Sequence, residues 1–146
     1  MFNFVVRRLG FLKHIPVLPA LFDHWIKIWT HLRHPEISDF IDDLKSELKN
    51  WPGISFSRHE YGGLQFDYHG KEIGHIHSNG LLDILFSKNI KADLMKEGRI
   101  MDHHVLPGTG WISFYIRTKN DVPYAIGLLK RSLEKLKEKN KPGNIS

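Results

Sequence analysis

Cysteine is absent from this chain of 146 residues. That removes disulfides, thiolate zinc centres and cysteine nucleophiles, so a metal would have to rest on His, Asp or Glu. It also fits a reducing compartment. Long apolar runs are missing too. Near the start, the longest uncharged stretch, Ile15–Phe22, holds Pro16 and Pro19 and is too short to span a bilayer, and no small-residue cleavage site follows it. Neither a signal peptide nor a transmembrane helix is expected, and the expected location is cytoplasmic. Gly62-Gly63 and Gly108-x-Gly110 lack the strand-to-helix setting of a phosphate loop and read as turns. There is no serine elbow motif. A basic stripe interleaved with aromatics, the footprint of a nucleic-acid binder, is also missing, so no nucleic-acid partner is expected.

What is present is an ordinary globular balance, 41% hydrophobic and 25% charged, at a length that suits one compact domain. Residues 1–34 carry five basic side chains and one acidic, residues 128–146 six and two, and residues 35–127 ten and thirteen. The net charge of +5 therefore belongs to the two ends.

Leu18, Leu21, Phe22, Trp25, Ile28, Trp29 and Leu32 recur at helical spacing. This amphipathic segment, within residues 1–34, is flanked by Arg7, Arg8, Lys13, Lys27 and Arg33. Peripheral contact with an anionic membrane is one use for it. The favoured use is to cover the domain's own core or a homodimer interface. A second helix follows Pro35, with Ile37, Phe40, Ile41, Leu44 and Leu48 on one face, and Asn50-Trp51-Pro52-Gly53 ends it. The period then changes. Ile54–Glu60, Leu64–Tyr68, Lys71–His77 and Leu81–Phe86 read as strands whose short connections demand an antiparallel meander. Ser87 caps an expected helix over Lys88–Glu97, closed by Gly98. Met101–Gly110 reads as a loop and Trp111–Arg117 as a fifth strand. Asp121 caps a last helix carrying Val122, Ala125, Ile126, Leu129, Leu133 and Leu136. Residues 137–146 read as a frayed basic tail. The order ααββββαβα predicts an α+β domain, an antiparallel sheet of about five strands with helices mainly on one face.

Strand alternation puts His75 and His77 on one face. Register decides what joins them. A three-residue loop of Ser78, Asn79 and Gly80 sets His75 opposite Asp83, whereas a two-residue Asn79-Gly80 turn sends Asp83 to the other face. The three-residue loop is favoured, because it also gathers Ile76, Leu82, Ile84 and Phe86 on the helix-covered side. His75, His77 and Asp83 together fit three ligands of a divalent metal with an open position. They equally fit a metal-free acid–base pair whose carboxylate fixes the imidazole tautomer, or a solvated polar face. The metal-free pocket is the reading carried forward, with no cofactor, a small-molecule ligand as partner and a divalent metal on His/Asp as the alternative. One of His103 and His104 is expected to join, and Trp111 to fill core or line a pocket wall. Glu72 is kept among the ligand-binding candidates, but its odd spacing from His75 places it on the opposite face, paired with Lys71 or Arg58. His14, His24, His31, His34, His59 and His69 are scattered and read as surface residues.

The run Lys71-Glu72-Ile73-Gly74-His75-Ile76-His77, then Leu82-Asp83-Ile84, His104-Val105-Leu106-Pro107 and Trp111-Ile112-Ser113-Phe114, resembles the luciferase-domain family, which contains the fungal luciferases and many microbial proteins. The likeness spans about residues 50–136. Fungal luciferases add molecular oxygen to a hydroxylated styryl-pyrone without a known metal or flavin, and the intermediate loses carbon dioxide with light. The resemblance therefore implies that His75, His77 and His104 line a substrate pocket and that one of them takes the proton turning an enol into an oxygen-reactive enolate. Asp83 stands where the fungal chains have His, and their N-terminal membrane segment has no counterpart here. The expectation is thus an oxidoreductase-like pocket without light emission, the alternative being a non-enzymatic small-molecule or metal-binding module.

Overall fold

The computed structural model describes residues 25, 35–60, 62–103 and 105–139. The expected first helix, with its membrane or dimer role, lies outside the described residues apart from Trp25, as do residues 140–146. Helix α1 (Glu36–Leu48) starts at Pro35, whose fixed φ suits a helix start, and carries Glu36 and Asp39 in its first turn, where the helix dipole favours negative charge. Ile37, Leu44 and Leu48 are its buried stripe.

Four strands follow as the expected meander: β1 (Ile54–Arg58), β2 (Leu64–Tyr68), β3 (Lys71–Ile76) and β4 (Leu81–Leu85). Helix α2 (Lys88–Lys96) is capped by the Ser87 hydroxyl, which accepts from the Ile90 N–H at 3.3 Å. A two-residue strand β5 (Met101–Asp102) and then β6 (Trp111–Tyr115) complete an antiparallel sheet in the order β1-β2-β3-β4-β6-β5. The sheet thus has six strands, not about five. Met101–Asp102, expected as the start of a loop, pairs with Ser113 and Ile112 at the edge, and a strand that short leaves no alternation to read. A 3₁₀ turn over Lys119–Asp121 leads into α3 (Val122–Lys139), which runs three residues past the expected boundary.

The three-residue loop sets the register. His75 faces Asp83 and Ile76 faces Leu82. The His77 N–H donates to Leu81 O at 2.9 Å and the Gly80 N–H to His77 O at 2.9 Å. Gly80 sits at φ +81°, and a Cβ there would come within 2.6 Å of Ile116 O, so the turn requires glycine twice over.

Alternation then sorts the sheet. Phe66, Ile76, Leu82, Ile84, Ile112 and Phe114 point into one core with Leu44 and Leu48 of α1 and Ala125 and Leu129 of α3. Gly74 belongs to this face, where a Cβ would stand 3.0 Å from Leu129 Cδ2, so its smallness lets α3 lie close. The other face carries a polar row across neighbouring strands, Ser57, Gln65, His75, Asp83 and Ser113 in register.

Candidate functional site

The row centres on Asp83, which has no exposed surface although it is a carboxylate. Its Oδ1 accepts from the Ser113 hydroxyl at 2.5 Å, a bond built by the direct pairing of Asp83 with Ser113. Its Oδ2 faces three imidazole nitrogens: His77 Nε2 at 3.3 Å, His75 Nε2 at 3.5 Å and His103 Nε2 at 3.6 Å. Burial by itself would push the carboxyl up. The three imidazoles and the Ser113 hydroxyl outweigh it and hold Asp83 well below the usual carboxylate range. The site therefore keeps a buried negative charge with cationic or polarised N–H groups around it.

His75 lies between two carboxylates. Its Nδ1 is 2.6 Å from Glu72 Oε1, and because an ionised carboxylate only accepts, Nδ1 carries the proton and donates. Burial would lower the imidazole pKa, but contact with Asp83 and Glu72 raises it above the ordinary histidine value. Glu72 is thus on the His75 face, contrary to the odd-spacing expectation. The pairing of β2 with β3 shifts between Phe66 and Asp67, so that Gly74 faces Phe66 and Glu72 faces Asp67. Ile73 is the extra residue of a β-bulge, and one extra residue reverses the parity of everything before it.

His59, expected at the surface, is buried at 8% exposure and stacks on His75 with ring centroids 3.6 Å apart and planes 13° from parallel. Burial first, and then the charge on His75, lowers its pKa. The readable signal was alternation in β1: Ile54 and Phe56 face the core side, so Ser57 and His59 belong to the other. Ser113 was missed as well, although Ile112 and Phe114 on either side assign it to the polar face.

His103 joins through the loop after β5. The backbone N–H groups of Val105 and Leu106 donate to its Nδ1 at 3.2 and 3.1 Å. A nitrogen that accepts holds no proton, so this network assigns the His103 proton to Nε2, aimed at Asp83. The loop is folded around a buried ammonium. Lys91 Nζ of α2 contacts Asp102 and donates to Thr109 O at 2.8 Å and Trp111 O at 2.9 Å. Asp102 in turn accepts from the N–H groups of His103 at 2.9 Å and Gly108 at 3.2 Å. Trp111 flanks the cluster, its ring centroid 5.7 Å from that of His75 and 5.6 Å from that of His103. His104 lies outside the described residues. His69 is exposed, as expected.

One ligand atom from each of His75, His77 and Asp83 lies within 4.8 Å of the others, and the same holds for His59, Glu72 and His75. By separation alone, both groups meet the requirement for a metal ion.

Residues 70–132 match the family model of the luciferase domain. The likeness seen in the motifs is thereby supported, and over this stretch the chain is luciferase-like. The matched segment runs from the β2–β3 turn into α3 and carries Glu72, His75, His77, Asp83, His103, Trp111 and Ser113, while His59 falls before it. Comparison with curated proteins and with solved structures finds no match. Among the described residues, no helix is long and apolar enough to cross a membrane.

Proposed function

We propose that the histidine-lined face is the reactive centre of an enzyme that binds a small enolisable or aromatic molecule and joins it to molecular oxygen without emitting light. The observation that carries this reading is the buried Asp83 anion facing three imidazole nitrogens inside the luciferase-like segment. Of the three rings, His77 is the most open, with 21% of its side chain exposed. With Nε2–H directed at Asp83, its lone pair is on Nδ1, the atom that takes a proton from an enol. Asp83 then offsets the imidazolium that forms, as a carboxylate does behind a general base. The electron pair of the enolate C=C π bond becomes the new bond from carbon to oxygen, the enolate oxygen becomes a carbonyl, O₂ is reduced to the peroxide level, and the proton held on His77 passes to the distal oxygen to give a hydroperoxide.

Oxygen uptake by the purified protein, screened against hydroxypyrones and related enols, tests the reading. Wild type should consume oxygen with at least one of them, and His77→Ala should lose about 10²- to 10⁴-fold in rate, the usual contribution of a positioned base. Equal rates for the two proteins contradict it. A module that binds a small molecule or cation without turnover is the second reading, favoured by the absence of a hydrogen-bond partner on Asp83 Oδ2 among the described residues. Saturable binding of a hydroxypyrone with no oxygen uptake would identify it.

A further inference from the structure

The geometry points to a binding site for one divalent first-row transition cation at His75 Nε2, His77 Nε2 and Asp83 Oδ2. Asp83 Oδ2 is fully buried and finds no hydrogen-bond partner among the described residues, although imidazole nitrogens converge on it. A buried carboxylate oxygen in that state is costly unless something else satisfies it. The separations say what. At 3.3 and 3.5 Å, His77 Nε2 and His75 Nε2 stand too far from Oδ2 for good hydrogen bonds. Two ligand atoms each about 2.0–2.1 Å from a shared tetrahedral cation stand about 3.3–3.4 Å from one another. The observed distances are close to the edges of such a polyhedron. One ligand atom of each of the three residues lies within 4.8 Å of the other two, and His77 is the partly exposed member.

Glu72 completes the pattern. It accepts from His75 Nδ1 at 2.6 Å, which leaves the Nε2 lone pair for a metal and fixes the ring, as carboxylates behind metal-binding histidines do. His103 is excluded although its Nε2 is 3.6 Å from Asp83, because two backbone N–H groups occupy its Nδ1 and put the proton on Nε2. The rival group of His59, Glu72 and His75 fails on direction. Imidazole lone pairs lie in the ring plane, and two rings stacked 3.6 Å apart at 13° cannot aim them at one ion. Two imidazoles and one carboxylate, with no thiolate, suit zinc, cobalt or ferrous iron better than calcium or cuprous copper, and leave an open position.

This site shares residues with the proposed acid–base centre but requires no turnover. A cation on His77 Nε2 would leave the proton on Nδ1, so the acid–base reading belongs to the metal-free protein. The test is titration of CoCl₂, and separately ZnCl₂, into the untagged full chain after removal of metals by chelation. One Co²⁺ should bind per chain with the intense visible absorption of a low-coordinate site, and Zn²⁺ should displace it. His77→Gln should weaken binding by more than about 100-fold, and Glu72→Gln by about 10- to 100-fold, the range for an outer carboxylate. Asp83→Asn should abolish binding, and it is read only if circular dichroism shows it folded; the partly exposed His77 keeps the test decisive otherwise. Three results overturn the assignment: no stoichiometric binding of either cation, binding unchanged in His77→Gln, or loss in His103→Gln with retention in His77→Gln. Binding without oxygen uptake leaves the site standing and removes the enzyme reading; uptake by chelated protein that binds no cation does the reverse.

Discussion

A carboxylate with no exposure is held in this fold largely by charge, because among the described residues only one of its two oxygens has a hydrogen-bond donor. Asparagine at Asp83 keeps the shape but removes the charge that faces His75, His77 and His103. Asp83→Asn should therefore lower stability by about 3 kcal/mol, the scale of breaking a buried ion pair from one side, measured by urea unfolding near neutral pH. Unchanged or increased stability would show that the imidazoles do not depend on that charge. Residue by residue, part of this site is legible in the sequence. The spacing of His75 and His77 gave a face, the turn residues Ser78-Asn79-Gly80 favoured one of two registers, and the favoured one delivers Asp83. Glu72 was misplaced because a bulge at Ile73 has no signature in one sequence: an isoleucine fits a regular strand as well as a bulged one. His59 was misread for a different reason. It follows the last residue of β1, and a lone histidine between Arg58 and Glu60 looks like surface.

Among the elements, helix ends and strand pairing decide how firmly the site is presented. The turn before α3 is a capping box in which the Asp121 carboxylate accepts from the N–H groups of Thr118 at 2.9 Å and Arg117 at 3.1 Å. Burial would raise the Asp121 carboxyl, but the bonds from Thr118 and Arg117 outweigh it and lower its pKa. A carboxyl whose folded value lies below its unfolded value stabilises the fold above the ordinary carboxylate range, and that contribution fades as pH falls through the folded value. Asp121→Ala should thus cost about 1 kcal/mol at neutral pH. The gap from wild type should shrink as pH drops below the ordinary aspartate range. A gap that stays constant down to acid pH would mean that the carboxylate is not what caps the turn. The described helices and five of the six strands were readable because each spans enough residues to show a period of 3.6 or 2. The β5 pair was not, since two residues show no period. Nor was the fold of the His103 loop, which depends on Lys91 reaching across from α2 to carbonyls at positions 109 and 111.

For the molecule as a whole, the sheet divides labour between its faces. One face builds the core with α1 and α3, and the other gathers histidines and acids around a buried anion. The luciferase-like segment supplies the buried anion and the three imidazoles that face it, while Ser57, His59 and Gln65 of the same face precede it. Likeness to a family over residues 70–132 still leaves the ligand to be found, because one fold hosts many functions. The most direct test is to follow the histidine Cε1–H resonances of the intact protein by NMR while each hydroxypyrone is added to metal-free sample. The account predicts that one of these compounds moves the His75 and His77 signals together and saturably, while the exposed His69 on the β2–β3 turn stays in place. No saturable shift at His75 or His77 with any compound, or a shift at His69 of equal size, would contradict it.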